Sequence, residues 1–335
     1  MPLVLDPQRS VDFVYVNYHS TRDVVASIQS LERLVFNSGL NAKVYVVDNS
    51  FVESDPEQIS FLAGFAEAVS TPTFYVGYHP SDINLGFGSA CNKAVKYSRS
   101  SIIAFVNCDT NFDNTDPLGF LQMLGLLMRK DVAIVGPRIV SEEGTLHSSC
   151  FSFDPVSILL KPARHIRRVG SSVKVKIPKY ASFKKRIDRI TYEGMDKTSP
   201  CRVDWVSGCF ALVRRDFFES VNGFDERFFM YFEDVDLCRK ARQFSRSVVF
   251  DPRVSVLHRA SHESARRRGI VRSLILNPVA RYHVISWLKY CFKWRLDFLE
   301  KILAYANLLG TSRSRRLSPS GYGLDFSVYS KIENL

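Results

Sequence analysis

Carboxylates close or open four segments of this chain that otherwise read as apolar. Asp48 ends the run VYVVD, Asp109 ends SIIAFVNCD, Glu233, Asp234 and Asp236 follow the aromatic run FFMYF, and Asp251 follows VVF. Acids gathered on one sheet edge offer hard oxygen ligands, which suit Mg²⁺ or Mn²⁺, ions that bridge a diphosphate rather than sit in an all-protein cage. A carboxylate in the first turn of a helix, partly desolvated beside another acid, is suited to general-base work, and Asp234 next to Glu233 has that setting. Taken singly, each acid is as well explained as a turn residue or helix cap. Asp236 and Arg239, three apart, fit a first-turn acid and its helical ion-pair partner. The joint placement is what points to metal and diphosphate chemistry. His258, at the end of VSVLH, is a candidate ligand for metal or phosphate, although a lone histidine is more often structural.

The segment Asn84-Leu-Gly86-Phe87-Gly88-Ser-Ala-Cys91-Asn92 invites comparison with the dinucleotide fingerprint, and fails it. Cys91 stands where the third glycine belongs, and the loop lies well past the first strand and its helix, so a nicotinamide enzyme is disfavoured. Gly86 and Gly88 would let backbone approach a ligand phosphate or sugar, or simply make a turn.

The elements that must position these residues follow from periodicity. Strand-length apolar runs cover 11–18, 42–50, 101–109 and 131–140, with a short one at 74–76, and helical spacing covers 24–37, 86–97 and 116–129. Strands alternating with helices predict an α/β fold with a mostly parallel, doubly wound central sheet and a ligand site at the carboxyl ends of its strands. Periodicity fades between 141 and 200. Strand signal returns at 201–215, a helix is expected at 216–221, a turn and a helix within 223–243, one or two strands at 246–259, and mostly helix to about 310.

A chain of 335 residues with 46% hydrophobic and 24% charged residues can bury a large core, which excludes wholesale disorder and a disulfide-stapled module. No apolar run approaches the roughly 18 to 20 residues of a membrane span. The start, MPLVLDPQRSVDFVYV, lacks the basic and apolar regions of a signal peptide, and the seven cysteines are scattered without C-x-x-C spacing, so a cytoplasmic location is expected. The net charge of +11 is unevenly distributed: residues 161–190 carry eleven Lys/Arg against one Asp, residues 253–316 carry fourteen against three acids, and the remainder is acidic. Basic segments of this kind suit nucleic acid, phosphorylated ligands or an anionic membrane surface, or are merely solvated faces. Nucleic acid is not the expected partner, because the aromatics cluster beside the acids rather than the basic segments.

Together these motifs resemble glycosyltransferase family 2, inverting enzymes of GT-A fold that use nucleotide-sugars, and within it the bacterial rhamnosyltransferase-like branch. The resemblance covers roughly residues 11–260. It is carried by Val16-Asn17-Tyr18, VVDNS, NLGFGSACN, Asn107-Cys108-Asp109, VSGCFALVRR and GFDERFFMYFEDVDLC, in that order. It implies that Asp48, Asn17 and Tyr18 recognise the nucleoside, that Asn84, Gly86, Phe87 and Asn92 line the donor site, and that Asp109 is the metal-binding aspartate, with Asn107 where the family's first Asp stands. Cys108 replaces the proline usual in this branch. The resemblance further implies that His258 completes the metal site for Mg²⁺ or Mn²⁺, that Trp205, Ser207, Gly208 and Glu233 lie on the acceptor side, and that Asp234 is the catalytic base. The implied organisation is a catalytic domain over 1–260, comprising a nucleotide-sugar half (1–140), a basic variable insertion (141–200) and an acceptor half (201–260). A basic, aromatic-rich helical extension (261–335) follows.

The implied donor is a dTDP- or UDP-sugar, with dTDP-rhamnose favoured by the branch and UDP-hexoses open. The implied acceptor is a glycan or a polyprenyl-diphosphate-linked glycan of bacterial surface polysaccharide such as O-antigen or capsule. The extension would either seat the enzyme on the inner membrane face or pack against the catalytic domain or a second subunit of a homodimer. Two other classes compete. A nucleotidyltransferase would want a glycine-rich basic loop after the first strand, where Asn17-Tyr18-His19-Ser20-Thr21-Arg22 has no glycine. A non-catalytic polyanion- or membrane-binding protein on the same scaffold would lean on the basic segments alone.

Overall fold

The computed structural model describes residues 10–50, 56–147, 149–153, 198–259 and 278–295, with Asp297 and Leu299. The expectations for residues 1–9, for most of the 141–200 segment and for the extension outside 278–299 lie outside the described residues. Two compact units divide the chain, Met1–Lys293 and Trp294–Leu335, and all that follows concerns the first.

Its frame is one ten-stranded sheet. The strands are β1 (Ser10–Asn17), β2 (Asn41–Asp48), β3 (Phe74–Pro80), β4 (Ile102–Val106), β5 (Thr110–Asn111), β6 (Val132–Val140), β7 (Leu146–His147), β9 (Cys201–Val203), β11 (Phe210–Arg214) and β12 (Ser247–His258), while β8 (Cys150–Phe151) and β10 (Trp205–Val206) pair separately. The order along the sheet is β3-β2-β1-β4-β11-β6-β12-β5. β1, β2, β3 and β4 are parallel, as are β6 and β12. β11 runs antiparallel between β4 and β6, an exception within the mostly parallel sheet whose place the apolar runs did not mark. The reversal matters for the site, because the start of β11 meets the carboxyl end of β4, with Phe210 opposite Val106.

The helices are α1 (Thr21–Ser38), α2 (Pro56–Val69), α3 (Phe87–Val95), α4 (Pro117–Leu126), α5 (Arg215–Ser220), α6 (Glu233–Gln243) and α7 (Pro278–Lys293). α1 buries Val24, Ile28, Leu31, Leu34 and Val35 on one stripe and ends at Gly39 in the left-handed region. α4 starts where Asp116 accepts from the backbone N–H groups of Leu118 and Gly119, with Pro117 in the first turn, a sequence-readable cap. α2 was not anticipated: its apolar residues surround the helix and only Leu62 and Ala66 are buried, so no stripe marks it. One core runs from Val11, Phe13 and Tyr15 on β1 through Val44 and Val46 to Phe112, Phe120 and Val256. No helix among the described residues is long and apolar enough to cross a membrane.

Candidate functional site

The carboxyl ends of β2, β1 and β4 stand side by side, and the chemistry-bearing residues lie along that edge in three groups. At the end of β2, Asp48 is buried, and its Oδ1 accepts from Asn17 Nδ2 (3.0 Å), Ser50 N (3.0 Å) and Ser50 Oγ (2.6 Å). Its Oδ2 accepts from Tyr78 Oη at 2.7 Å. Burial first, and then the bond to Asp48, keep the Tyr78 hydroxyl protonated far above its ordinary range, so it serves as a donor. Asn17 is itself buried and clamps the following turn by accepting from Ser20 N. Tyr18, half-exposed, stands beyond it with its ring 4.4 Å from that of His19. Tyr78 and Ser50 are contributors that motif reading missed. Ser50 stood within VVDNS, whereas nothing in the short strand signal at 74–76 reached Tyr78.

The second group lies after β4. His258, ending β12, pairs with Thr110 across β5, which brings His258 Nε2 to 3.0 Å from Asp109 Oδ1 and 3.4 Å from Asn107 Nδ2. The third is the Gly208–Asp234 pair at the start of α6, where Gly208 N donates to Asp234 Oδ2 at 3.1 Å and Asp234 Oδ1 accepts from Val235 N. A Cβ on residue 208 would lie 2.8 Å from the Asp234 Cβ, so the approach requires glycine. The neighbouring Cys209 carbonyl accepts from Asn107 N at 2.9 Å, which locks the second and third groups together. This contact exists because β11 is antiparallel. Cys108 and Cys209 flank the junction, yet burial pushes both thiols up, Cys209 to about 12, so neither supplies a thiolate at neutral pH.

Other candidate residues hold the frame. Asn92 clasps Phe224 from both sides, accepting from its N–H (3.0 Å) and donating to its carbonyl (2.9 Å), and also donates to Glu226. Asn84 Oδ1 accepts from Gly86 N, and Asn49 Nδ2 donates to the Gly86 carbonyl. Phe87 N donates to the Phe229 carbonyl at 2.8 Å, tying α3 to the loop that leads into Glu233. Trp205 is buried, stacked on Phe151 at 4.0 Å, and Ser207 N donates to Ser149 O. Glu233 is buried with its Cβ 3.6 Å from the position a Gly88 Cβ would take, so it backs onto α3. Asp251 is buried and held by Arg253 through both oxygens. Asp236 is bound by Lys293 of α7, with Lys240 at 3.8 Å, while Arg239, expected as its partner, donates to Tyr290 Oη.

Gly86 has φ +77°, and a Cβ there would lie 2.3 Å from the Phe229 carbonyl oxygen. Gly86→Ala is therefore expected to lower stability by about 2 to 4 kcal/mol, from left-handed strain plus the clash, read as a shift in urea midpoint at constant slope.

A mixed sheet with acids at its carboxyl edge and an antiparallel strand that returns a glycine loop to that edge defines the class: the fold is GT-A. It is similar to the crystal structure of GalNAc-T7 with UDP, GalNAc and Mn²⁺ (TM-score 0.53, 15% identity), covering 88% of this chain and 57% of that one. No protein-family model matches the chain. Over 64 residues it is 47% identical to an N-acetylglucosaminyl-diphospho-decaprenol L-rhamnosyltransferase of Mycobacterium tuberculosis, a stretch covering 19% of this chain and 21% of that protein. Over 116 residues it is 30% identical to rhamnosyltransferase WbbL of Escherichia coli K12, covering 35% and 36%. In both cases the match spans a minor part of the relative's own length. The resemblance to glycosyltransferase family 2 and to its rhamnosyltransferase-like branch holds in these matches.

Proposed function

We propose that this protein is an inverting glycosyltransferase that moves a sugar from a nucleoside-diphosphate donor to an acceptor hydroxyl. The observation that carries the reading is the junction at Cys209, which holds a carboxylate oxygen of Asp234 beside the Asn107–Asp109–His258 group on one sheet edge. Asp234 takes the acceptor proton, the freed oxygen forms its bond to the anomeric carbon, and the bond to the diphosphate breaks on the opposite face with its electrons leaving on the nucleoside diphosphate. Gly208 N–H and Val235 N–H each hold one Asp234 oxygen, so the carboxylate is oriented by backbone rather than by a mobile side chain.

The donor set fits Mg²⁺ or Mn²⁺. Asp109 and His258 offer one carboxylate and one imidazole in direct contact, and among the described residues no group of three or more His, Cys, Asp or Glu forms a cage, so diphosphate and water oxygens would complete the shell. When bound, the ion supplies Lewis-acid stabilisation of the departing diphosphate. Asp48 is preorganised by Asn17, Ser50 and Tyr78 at the place where the nucleoside would be read, and Tyr18 is exposed to stack on it.

For the donor, dTDP-rhamnose is favoured and a UDP-hexose is the second choice. For the acceptor, a polyprenyl-diphosphate-linked glycan of surface polysaccharide is favoured. Both rest on the rhamnosyltransferase relatives, one of which is named for a decaprenyl-diphosphate substrate. The test is release of nucleoside diphosphate from dTDP-rhamnose and UDP-sugars with and without a prenyl-diphosphate-GlcNAc acceptor. Turnover is expected to be lost on chelation, restored by Mn²⁺, and shifted by His258→Ala to at least ~10-fold higher Mn²⁺. Turnover indifferent to chelation would remove the ion from the mechanism, and vesicle or polyanion binding without any turnover would favour a binding protein.

A further inference from the structure

On β2 and β3, Val44, Val46, Phe74 and Val76 point into the core shared with α1 and α2. Strand alternation therefore puts Lys43, Tyr45, Tyr75, Gly77 and His79 on the other face of the sheet, away from the Asp48 group. Tyr97, just past α3, joins them. Its ring lies 4.0 Å from that of His79 and only 7° from parallel, and the buried Tyr45 ring lies 5.9 Å from His79 and 6.5 Å from both Tyr97 and Tyr75. Gly77 makes the assembly possible, because the side chains of Tyr75 and His79 converge over it. A Cβ on residue 77 would lie 2.9 Å from His79 Nε2 and 3.2 Å from the Tyr75 hydroxyl. His79 Nε2 is buried with no hydrogen-bond partner among the described residues, so stacking rather than polar contact sets this ring. Burial first, and then the Lys93 charge, hold the imidazole below its ordinary range, which keeps the stack uncharged at neutral pH.

The assembly ends in water: Tyr75 is 45% and Tyr97 46% exposed. Single exposed tyrosines are ordinary, but two held against a common buried support form a rigid platform with apolar faces and polar tips. Cations border it. Lys43 is exposed and directly across from Tyr75, and Arg99, exposed two residues after Tyr97, is near enough to act on the Tyr45 hydroxyl. Neither side chain is taken by an ion pair or a hydrogen bond among the described residues. Asp12, across from Lys43 on β1, is buried and accepts from Arg99 N (2.7 Å), Ser100 N (2.9 Å) and Ser100 Oγ (2.7 Å), so its charge is satisfied inside.

We infer that this platform is a binding site for an acidic glycan, whose sugar rings lie against Tyr75 and Tyr97 and whose carboxylate or phosphate groups meet Lys43 and Arg99. A sugar offers C–H faces to the rings and hydroxyls to the tyrosine O–H groups, which suits a surface both apolar and polar. The two unengaged cations select an acidic chain, and they oppose a second copy of this protein, which would bring like charges together. The choice of a glycan over a nucleic acid rests on the glycosyltransferase reading, in which the substrate is a saccharide chain. From Tyr75 to His79 the strand covers about 13 Å and leads to the sheet edge where β3 ends beside Asp48, so a chain held here stays on the enzyme while its end reacts.

The test is calorimetric titration of the full chain with an alginate hexasaccharide, whose uronic acids carry carboxylates, with neutral maltohexaose and with single-stranded oligo-dT, beside thermal shifts by UDP and dTDP in Mn²⁺. The wild type is expected to bind the alginate hexasaccharide at least ~10-fold more tightly than maltohexaose. Tyr75→Ala with Tyr97→Ala is expected to weaken that binding at least ~10-fold while the nucleotide shifts are unchanged. Lys43→Gln with Arg99→Gln should abolish the preference for the acidic chain and its loss with salt. A wild type that does not bind alginate or binds maltohexaose equally well, a double tyrosine variant that binds as the wild type does, or tighter binding of oligo-dT than of alginate would each overturn the inference. Nucleotide shifts without alginate binding would leave the transferase reading intact and remove the platform, and alginate binding lost in the tyrosine variant without nucleotide shifts would do the reverse.

Discussion

Asp234→Asn is expected to reduce sugar transfer by about 10²- to 10⁴-fold with donor affinity unchanged. The amide preserves shape but has one acceptor oxygen, so one of the two backbone hydrogen bonds from Gly208 N and Val235 N is given up along with proton acceptance. The change is isosteric and leaves the hydrogen bonds within the Asp48 and Asp109–His258 groups in place, which is why binding and turnover should separate. The measurement is kcat for transfer beside a Kd for donor with Mn²⁺. Near-wild-type turnover would remove Asp234 from the role of base, and a matching loss of donor affinity would mean the site had rearranged.

Lys293→Met is expected to destabilise the fold by about 3 to 5 kcal/mol, the usual cost of leaving a buried charge without its main partner. Lys293 Nζ lies 2.7 and 2.8 Å from the two oxygens of Asp236, which has no exposure, and 2.7 Å from Asp225 Oδ2. Burial alone would raise the Asp225 carboxyl, but hydrogen bonds from Arg227 and Lys293 overcome it and hold the group well below the usual carboxylate range. A depressed acid contributes stability that is full above its unfolded value of ~3.9 and is lost as pH falls through its folded value. The gap between wild type and variant should therefore stand undiminished at neutral pH and narrow in strong acid, as read by urea titrations across pH. The same clamp supports the turn into α6, where Tyr231 and Phe232 both hold φ of +68°, a strained pair that persists because Phe232 is buried against His283 and Tyr290.

Much of this architecture was legible in the residues. Asp48 and Asp109 lie at the ends of apolar runs because buried parallel strands must give way to polar residues where they leave the core, and those ends do fall on one edge. The Glu233–Asp234 pair does open a helix. What the residues did not reveal depends on distant partners. The antiparallel course of β11 cannot be read from its apolar run, since either direction buries the same side chains, yet that direction sets Gly208 against Asp234 and Cys209 against Asn107. Tyr78 and Lys293 reach Asp48 and Asp236 across 30 and 57 positions of sequence, beyond any local spacing rule. Asp236 binds a lysine from α7 and lies near the i+4 lysine, contacts that its spacing to Arg239 did not reveal, and Arg239 lies over the Phe153 ring and donates to Tyr290.

The most direct single measurement is a thermal-shift panel of dTDP, UDP and GDP with and without Mn²⁺ on the wild type and on Asp109→Ala. A ligand at about 100 times its Kd adds roughly 2.7 kcal/mol, well within reach of the method. The predicted result is stabilisation of the wild type by dTDP or UDP that requires Mn²⁺ and disappears in Asp109→Ala. The contradicting result is that no nucleoside diphosphate stabilises the wild type with Mn²⁺, or that Asp109→Ala responds as the wild type does.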